Sequence, residues 1–121
     1  MAHYVDGFVI PVAKDRIQEY RRVAERASEV WKEHGALEYR ECVGEDLGPV
    51  EGMVGFERMI DAKEGETVVF AWVVFASREA RDEANRKIMG DPRMKELMDP
   101  SNQTFNYKRM AYGGFETLVY A

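Results

Sequence analysis

Apolar positions follow two periods along this chain, and the switches between them outline an alternating order of strands and helices. Residues 4–12 are apolar and β-branched, with Pro11 placed where a strand end tolerates it. Over residues 15–34 the period becomes helical. Ile17, Tyr20, Val23, Ala24, Ala27, Val30 and Trp31 form one stripe, with Arg, Lys and Glu between them. Asp15 suits a first turn, and Gly35 suits the left-handed position that ends a helix. Residues 37–43 read as a second strand. Residues 44–66 carry turn chemistry at both ends, and Phe56, Met59 and Ile60 between them have the spacing of one helical turn. A third strand over 67–75 precedes Ser77, an N-cap for a helix reaching Met89. Asp91 and Pro92 open a short helix as cap and first residue. Its inner side is Met94, Leu97 and Met98, and Asp99 with Pro100 stops it. Residues 109–120 make the last strand. The order is βαββαβ, the ferredoxin-like α+β class, with helices on one face of a four-stranded antiparallel sheet. No repeat, low-complexity tract or linker divides residues 1–121, which read as one domain.

An antiparallel sheet with helices on one face should turn polar residues to the other. These strands do not. In the third, Val68, Phe70, Trp72 and Val74 oppose Val69, Ala71, Val73 and Phe75. The first sets Tyr4, Phe8, Ile10 and Val12 against Val5 and Val9, and the last sets Met110, Tyr112 and Leu118 against Ala111, Phe115 and Val119. At about 25 cal/mol per Å² of apolar surface, leaving such a face wet forfeits many kcal/mol. A second copy packed sheet to sheet is the simplest cover, so a homodimer closing an α/β barrel is expected.

The chain of 121 residues has room for one core, and its 45% apolar content argues for a folded rather than a disordered domain. A net charge of −5 lacks the basic footprint that phosphate binding requires, so no nucleic-acid partner is expected. The longest apolar run, residues 68–76, is about half the length that spans a bilayer, so no membrane partner is expected either. The N-terminus has no basic segment followed by an apolar one, and the single Cys42 cannot form an internal disulfide. A cytoplasmic location follows as the expectation.

Four segments together carry a resemblance. They are Tyr4-Val5-Asp6-Gly7-Phe8-Val9, Trp31-Lys32-Glu33-His34-Gly35-Ala36-Leu37-Glu38-Tyr39, Glu66-Thr67-Val68-Val69-Phe70-Ala71-Trp72 and Arg109-Met110-Ala111-Tyr112-Gly113-Gly114-Phe115-Glu116. Over nearly the whole chain they resemble the YbaA-like family of small uncharacterised bacterial proteins. The resemblance implies a dimeric α+β-barrel fold, in agreement with the two-faced strands, and it implies no established activity. The chain departs from the family pattern at Thr104-Phe105-Asn106-Tyr107, where a Pro-Phe-Asp-Gly turn is usual, and in the loop from Gly48 to Gly55.

Acidic residues interrupt the apolar sets. Asp6 lies among Tyr4, Phe8 and Ile10; Glu41 among Leu37, Tyr39 and Val43; Glu116 among Met110, Tyr112 and Leu118. A carboxylate among apolar neighbours loses solvation and is pushed toward useful acid–base behaviour. The structural alternative is a pairing with Arg or a backbone donor, or an exposed strand end, which is the reading for Glu116. Asp6 and Glu41 are the candidate acids or bases, expected to point into the barrel. His34 ends the first helix, where it is either a cap or a base. Trp72 and Tyr112 are candidate walls of a substrate site. Cys42 lies opposite the apolar set of its strand and reads as an ordinary thiol. Gly113 and Gly114 within a strand suggest a bulge or a close approach. No pattern of ligand spacing or phosphate-cradling glycines occurs, so neither a metal nor a cofactor is expected.

Three functions compete on this reading. The first is an uncharacterised homodimer that binds or converts a small molecule in its barrel without a cofactor; whether it is an enzyme stays open. The second is a non-catalytic dimeric binding or stress-related protein with a packed barrel. The third is an RNA-binding module of the same βαββαβ order, although Val69-Phe70-Ala71-Trp72-Val73 lacks the basic-Gly-aromatic signature of such modules. A cavity with unpaired polar groups favours the first.

Overall fold

In a computed structural model of the chain, which describes residues 3–99, 101 and 104–121, the strands and helices follow the order expected. They are β1 (Tyr4–Ala13), α1 (Ile17–Glu33), β2 (Glu38–Val43), α2 (Phe56–Met59), β3 (Glu66–Phe75), α3 (Arg78–Met89), α4 (Pro92–Leu97) and β4 (Ala111–Glu116). The sheet is antiparallel, in the order β2-β3-β1-β4. This is the ferredoxin-like arrangement.

Local chemistry sets most boundaries. Ser77 caps α3 by accepting from the Ala80 N–H at 3.1 Å, and Asp91 caps α4 by accepting from the Arg93 N–H at 2.9 Å. Gly35 follows α1 at φ 115°, a conformation open to glycine at little cost. Two elements differ from the sequence reading by more than one residue. Residues Lys14–Arg16 form a 3-10 turn that holds Asp15 in its first turn, so the α-helix itself begins at Ile17. The last strand is shorter at both ends. Tyr107–Arg109 form a 3-10 turn under Asn106, which accepts from the Lys108 N–H. Past Glu116 the partner strand runs out, because Glu116 already opposes Tyr4 at the start of β1. Leu118, Val119 and Tyr120 are accordingly exposed.

Register assigns the faces. Asp6, Phe8, Ile10 and Val12 of β1 lie on the side of Val69, Ala71, Val73 and Phe75 of β3 and of Tyr39 and Glu41 of β2. That side packs on α1, α3 and α4. One buried cluster joins Val30, Ala36, Val73, Phe75, Ala84 and Ile88; another joins Ile10, Val12, Tyr20, Val69 and Ala71, and Phe8 packs against both. The opposite face carries Val5, Val9, Phe70, Trp72 and Phe115. Phe70 is 44% exposed and Phe115 60% exposed. The α2 segment covers one end of this face, with Phe56 and Phe70 ring centroids 5.6 Å apart. At its β2 edge the face turns polar: the Trp72 Nε1–H donates to Glu38 at 2.7 Å, and the Arg40 guanidinium lies over the Trp72 ring.

Candidate functional site

Between α1, α4 and the sheet lies a cavity of about 390 Å³. Its walls come from four sources. The α1 stripe supplies Tyr20, Val23, Ala24, Ala27 and Trp31, and the sheet supplies Phe8, Ile10, Tyr39, Glu41, Ala71 and Val73. Met89, Met94, Leu97 and Met98 close it from the side of α3 and α4, and Phe105 and Met110 from the segment before β4. The small Ala24 and Ala27 leave the space that larger residues on that stripe would fill. Methionine is unbranched and adapts its shape, so the α4 wall suits more than one occupant.

Glu41 is the carboxylate of this lining. Tyr20 donates its hydroxyl to Oε1 and Tyr39 donates to Oε2, so each carboxylate oxygen has a fixed partner. Burial first, and the Glu41 charge second, push both phenols far above their ordinary pKa. They stay protonated and serve Glu41 as neutral donors. Glu41, Tyr20 and Tyr39 also line a second, more polar hollow of about 380 Å³ between α1 and β2, beside Gln18, Arg21, Glu25 and Ser28. The Trp31 Nε1–H is buried and has no hydrogen-bond partner among the described residues. Such a donor costs stability unless something meets it.

The remaining candidates stand elsewhere. Asp6 is 1% exposed and belongs to a separate cluster under α3, where Arg81 Nη1 donates to its Oδ1 at 2.7 Å. The same Nη1 donates to the Tyr112 hydroxyl at 2.9 Å, and the guanidinium lies over the Tyr4 ring at 4.7 Å. Burial pushes the Asp6 carboxyl up, against the opposing pull of Arg81 and of hydrogen bonds from Tyr112 and Asn85. Asp6 and Glu41 therefore share a face of the sheet but not a site. Neither points toward the face that a second sheet would cover; both point at the helices, because their registers put them beside Val73 and Ala71.

His34 Nε2 pairs with Asp91 Oδ2 at 2.9 Å at the C-terminal end of α1, outside the cavity lining. Asp91 is held well below the ordinary range by Arg93 and then by His34. The pair ties α1 to the start of α4 and so braces one wall. Trp72 and Tyr112 lie on opposite faces of the sheet and cannot wall one pocket. Cys42 is exposed on the face opposite to Glu41, and Glu116 is exposed at the strand end. Gly113 and Gly114 hold a regular ladder with no bulge. A Cβ on Gly114 would come within 2.4 Å of the Tyr4 hydroxyl and 2.9 Å of Arg81 Nη1, so the close approach is to side chains of the Asp6 cluster.

Sequence reasoning missed Tyr20, Tyr39 and Phe105 as site residues. The available signal was Tyr39 two positions from Glu41, on the same face, opposite an aromatic on the helix stripe. Phe105 offered none. It meets Tyr20 edge-on at 5.5 Å from the segment before β4.

Residues 3–107 match the family model described as "Protein of unknown function (DUF1428)". The chain belongs to this family. It is 45% identical over 116 residues to a relative in Escherichia coli strain K12, the "Uncharacterized protein YbaA", covering 96% of this chain and 97% of that one. The same identity holds for the Shigella flexneri relative. Among solved structures, DUF1428 architecture is similar to a nipsnap family protein with unknown function from Agrobacterium tumefaciens. The TM-score is 0.63 at 15% identity, over 98% of this chain and 91% of that one. A dimeric ferredoxin-like protein from an uncultured marine organism matches with a TM-score of 0.54 at 12% identity, over 100% and 98% of the two chains. These likenesses establish the ferredoxin-like fold. Among the described residues of this DUF1428 protein, no helix is long and apolar enough to cross a membrane.

Proposed function

We propose that this DUF1428 protein binds a small, largely apolar molecule, without a cofactor, in the cavity between α1, α4 and the sheet. The observation that carries the reading is the cavity itself. Its volume lies within the range of small-molecule sites, and its walls are apolar except for Lys95 and a few groups around Glu41. A convergent polar point in an apolar hollow fixes the orientation of a bound molecule. Here that point is Glu41, and it accepts a hydrogen bond or a proton from the ligand.

The same proposal places two copies together through the open sheet face, one cavity in each protomer. The exposed Phe70 and Phe115 support it, as does the likeness to a dimeric ferredoxin-like protein. The carboxylates then lie outside the barrel between the sheets, and the binding site is within each protomer. A reducing, cytoplasmic location belongs to this reading, supported by the exposed, unpaired Cys42.

Native mass spectrometry of freshly purified protein, alone and with added indole, tests both parts. The expected result is a dimer mass that carries a retained small molecule or takes up indole, with uptake lost in Ala27→Phe, which fills the hollow. A protein that retains nothing and takes up no indole overturns the ligand reading. A monomer mass overturns the dimer and returns the exposed aromatic sheet to consideration as an RNA surface.

A further inference from the structure

We propose that the molecule bound in the cavity is an amine, an ammonium group on an aromatic or apolar body, with Glu41 as its counter-ion. This rests on the small-molecule reading above and names the chemical class of the ligand.

Among the described residues, four acids are buried or half-buried: Asp6, Glu41, Glu66 and Asp91. Three of them have a cation. Arg81 meets Asp6 at 2.7 Å, Arg109 meets Glu66 at 2.7 Å, and Asp91 is held by Arg93 at 2.8 Å and by His34 at 2.9 Å. Glu41 has two tyrosine hydroxyls and no ion pair. Hydroxyls satisfy lone pairs but leave the charge uncompensated, and a partly buried charge without a counter-ion is costly. Lys95 also lines the cavity, but its side chain is exposed and forms no ion pair with Glu41.

The walls point the same way. Phe8, Tyr20, Trp31, Tyr39 and Phe105 all line this one cavity with Glu41. Aromatic faces carry the negative lobe of the ring quadrupole and attract a cation that has lost its water. A carboxylate among such rings is the recognition chemistry of an ammonium group, while the apolar remainder of the cavity suits the body of the molecule. The carboxylate disfavours an anion directly. A neutral alcohol can donate one hydrogen bond to Glu41, but it leaves the charge in place.

Three indoles of similar shape separate these cases in calorimetric titrations at neutral pH: tryptamine, its neutral analogue tryptophol, and indole-3-acetate. Tryptamine is expected to bind about tenfold or more tightly than tryptophol, the scale of one charge-assisted contact, and indole-3-acetate more weakly than either. In Glu41→Gln the tryptamine affinity should fall to that of tryptophol, whose own affinity changes little. The ranking in the unmodified protein stands independently of whether that variant folds. Tryptophol binding as tightly as tryptamine overturns the amine assignment and leaves the small-molecule reading intact, as does a tryptamine preference that survives Glu41→Gln. If none of the three binds, the small-molecule reading fails and the assignment with it.

Discussion

Asp6 and Glu41 flank β3, one opposite Val73 and the other opposite Ala71, on the same face of the sheet, yet their surroundings differ in kind. Asp6 is sealed under α3 against Arg81, with Tyr112 and Asn85 completing its partners. The carboxylate there is paired with the protein's own groups. Glu41 sits where the α1 stripe carries Ala24 and Ala27 and a hollow remains, and among the described residues it forms no ion pair. A buried acid with its own arginine is satisfied within the fold; a half-buried acid lacking one is the better candidate for a site.

The contrast breaks most easily at its paired end. Arg81→Met should destabilise the protein by about 3–5 kcal/mol in urea unfolding, since it strands a buried carboxylate. Burial then acts on Asp6 against the hydrogen bonds from Tyr112 and Asn85 alone. A raised folded pKa means the native state binds more protons, so the stability of this variant should recover as pH falls toward that of the free acid. A loss below about 1 kcal/mol would show that Asp6 is no more dependent on its partner than Glu41.

Glu66 gives an intermediate case. Its hydrogen bonds from Arg109, with the Lys63 N–H, lower its pKa to about 2 from 4.5. A depressed folded pKa contributes stability above the unfolded value that is lost as the pH drops through the folded one. With allowance for solvent, roughly 1–2 kcal/mol should disappear between pH 4.5 and 2. Glu66→Gln should flatten that limb of the acid unfolding curve. An unchanged limb would remove Glu66 from the set of paired acids.

The smallest effect is expected at the unpaired end. Glu41→Gln keeps an acceptor for a tyrosine hydroxyl and removes a charge that has no counter-ion. Its thermal and urea stability should shift by less than about 1 kcal/mol in either direction. A loss comparable to that of Arg81→Met would make Glu41 structural and end the contrast.

Much of this was legible beforehand. The helical stripe from Ile17 to Trp31, the caps at Ser77 and Asp91, and the βαββαβ order are statements about neighbours in sequence, where periodicity and capping act directly. Two-residue alternation likewise marked Asp6 and Glu41 as acids placed among apolar residues. Local pattern could not say which arginine reaches which acid. Arg81 lies 75 residues from Asp6, and Tyr20 lies 21 residues from Glu41. It also could not separate Trp72 from Tyr112, because which side of a sheet a residue takes depends on the register between strands.

The sequence by itself therefore determined the elements, their order and the residues worth watching, because a period of 3.6 or 2 is fixed by backbone geometry within each segment. The tertiary structure decided which face each strand turns to the helices, which acid receives a cation, and that two alanines of α1 stand over β2 and β3. Those outcomes depend on contacts between distant segments, and from those contacts came both a filled ion pair at Asp6 and an open cavity at Glu41.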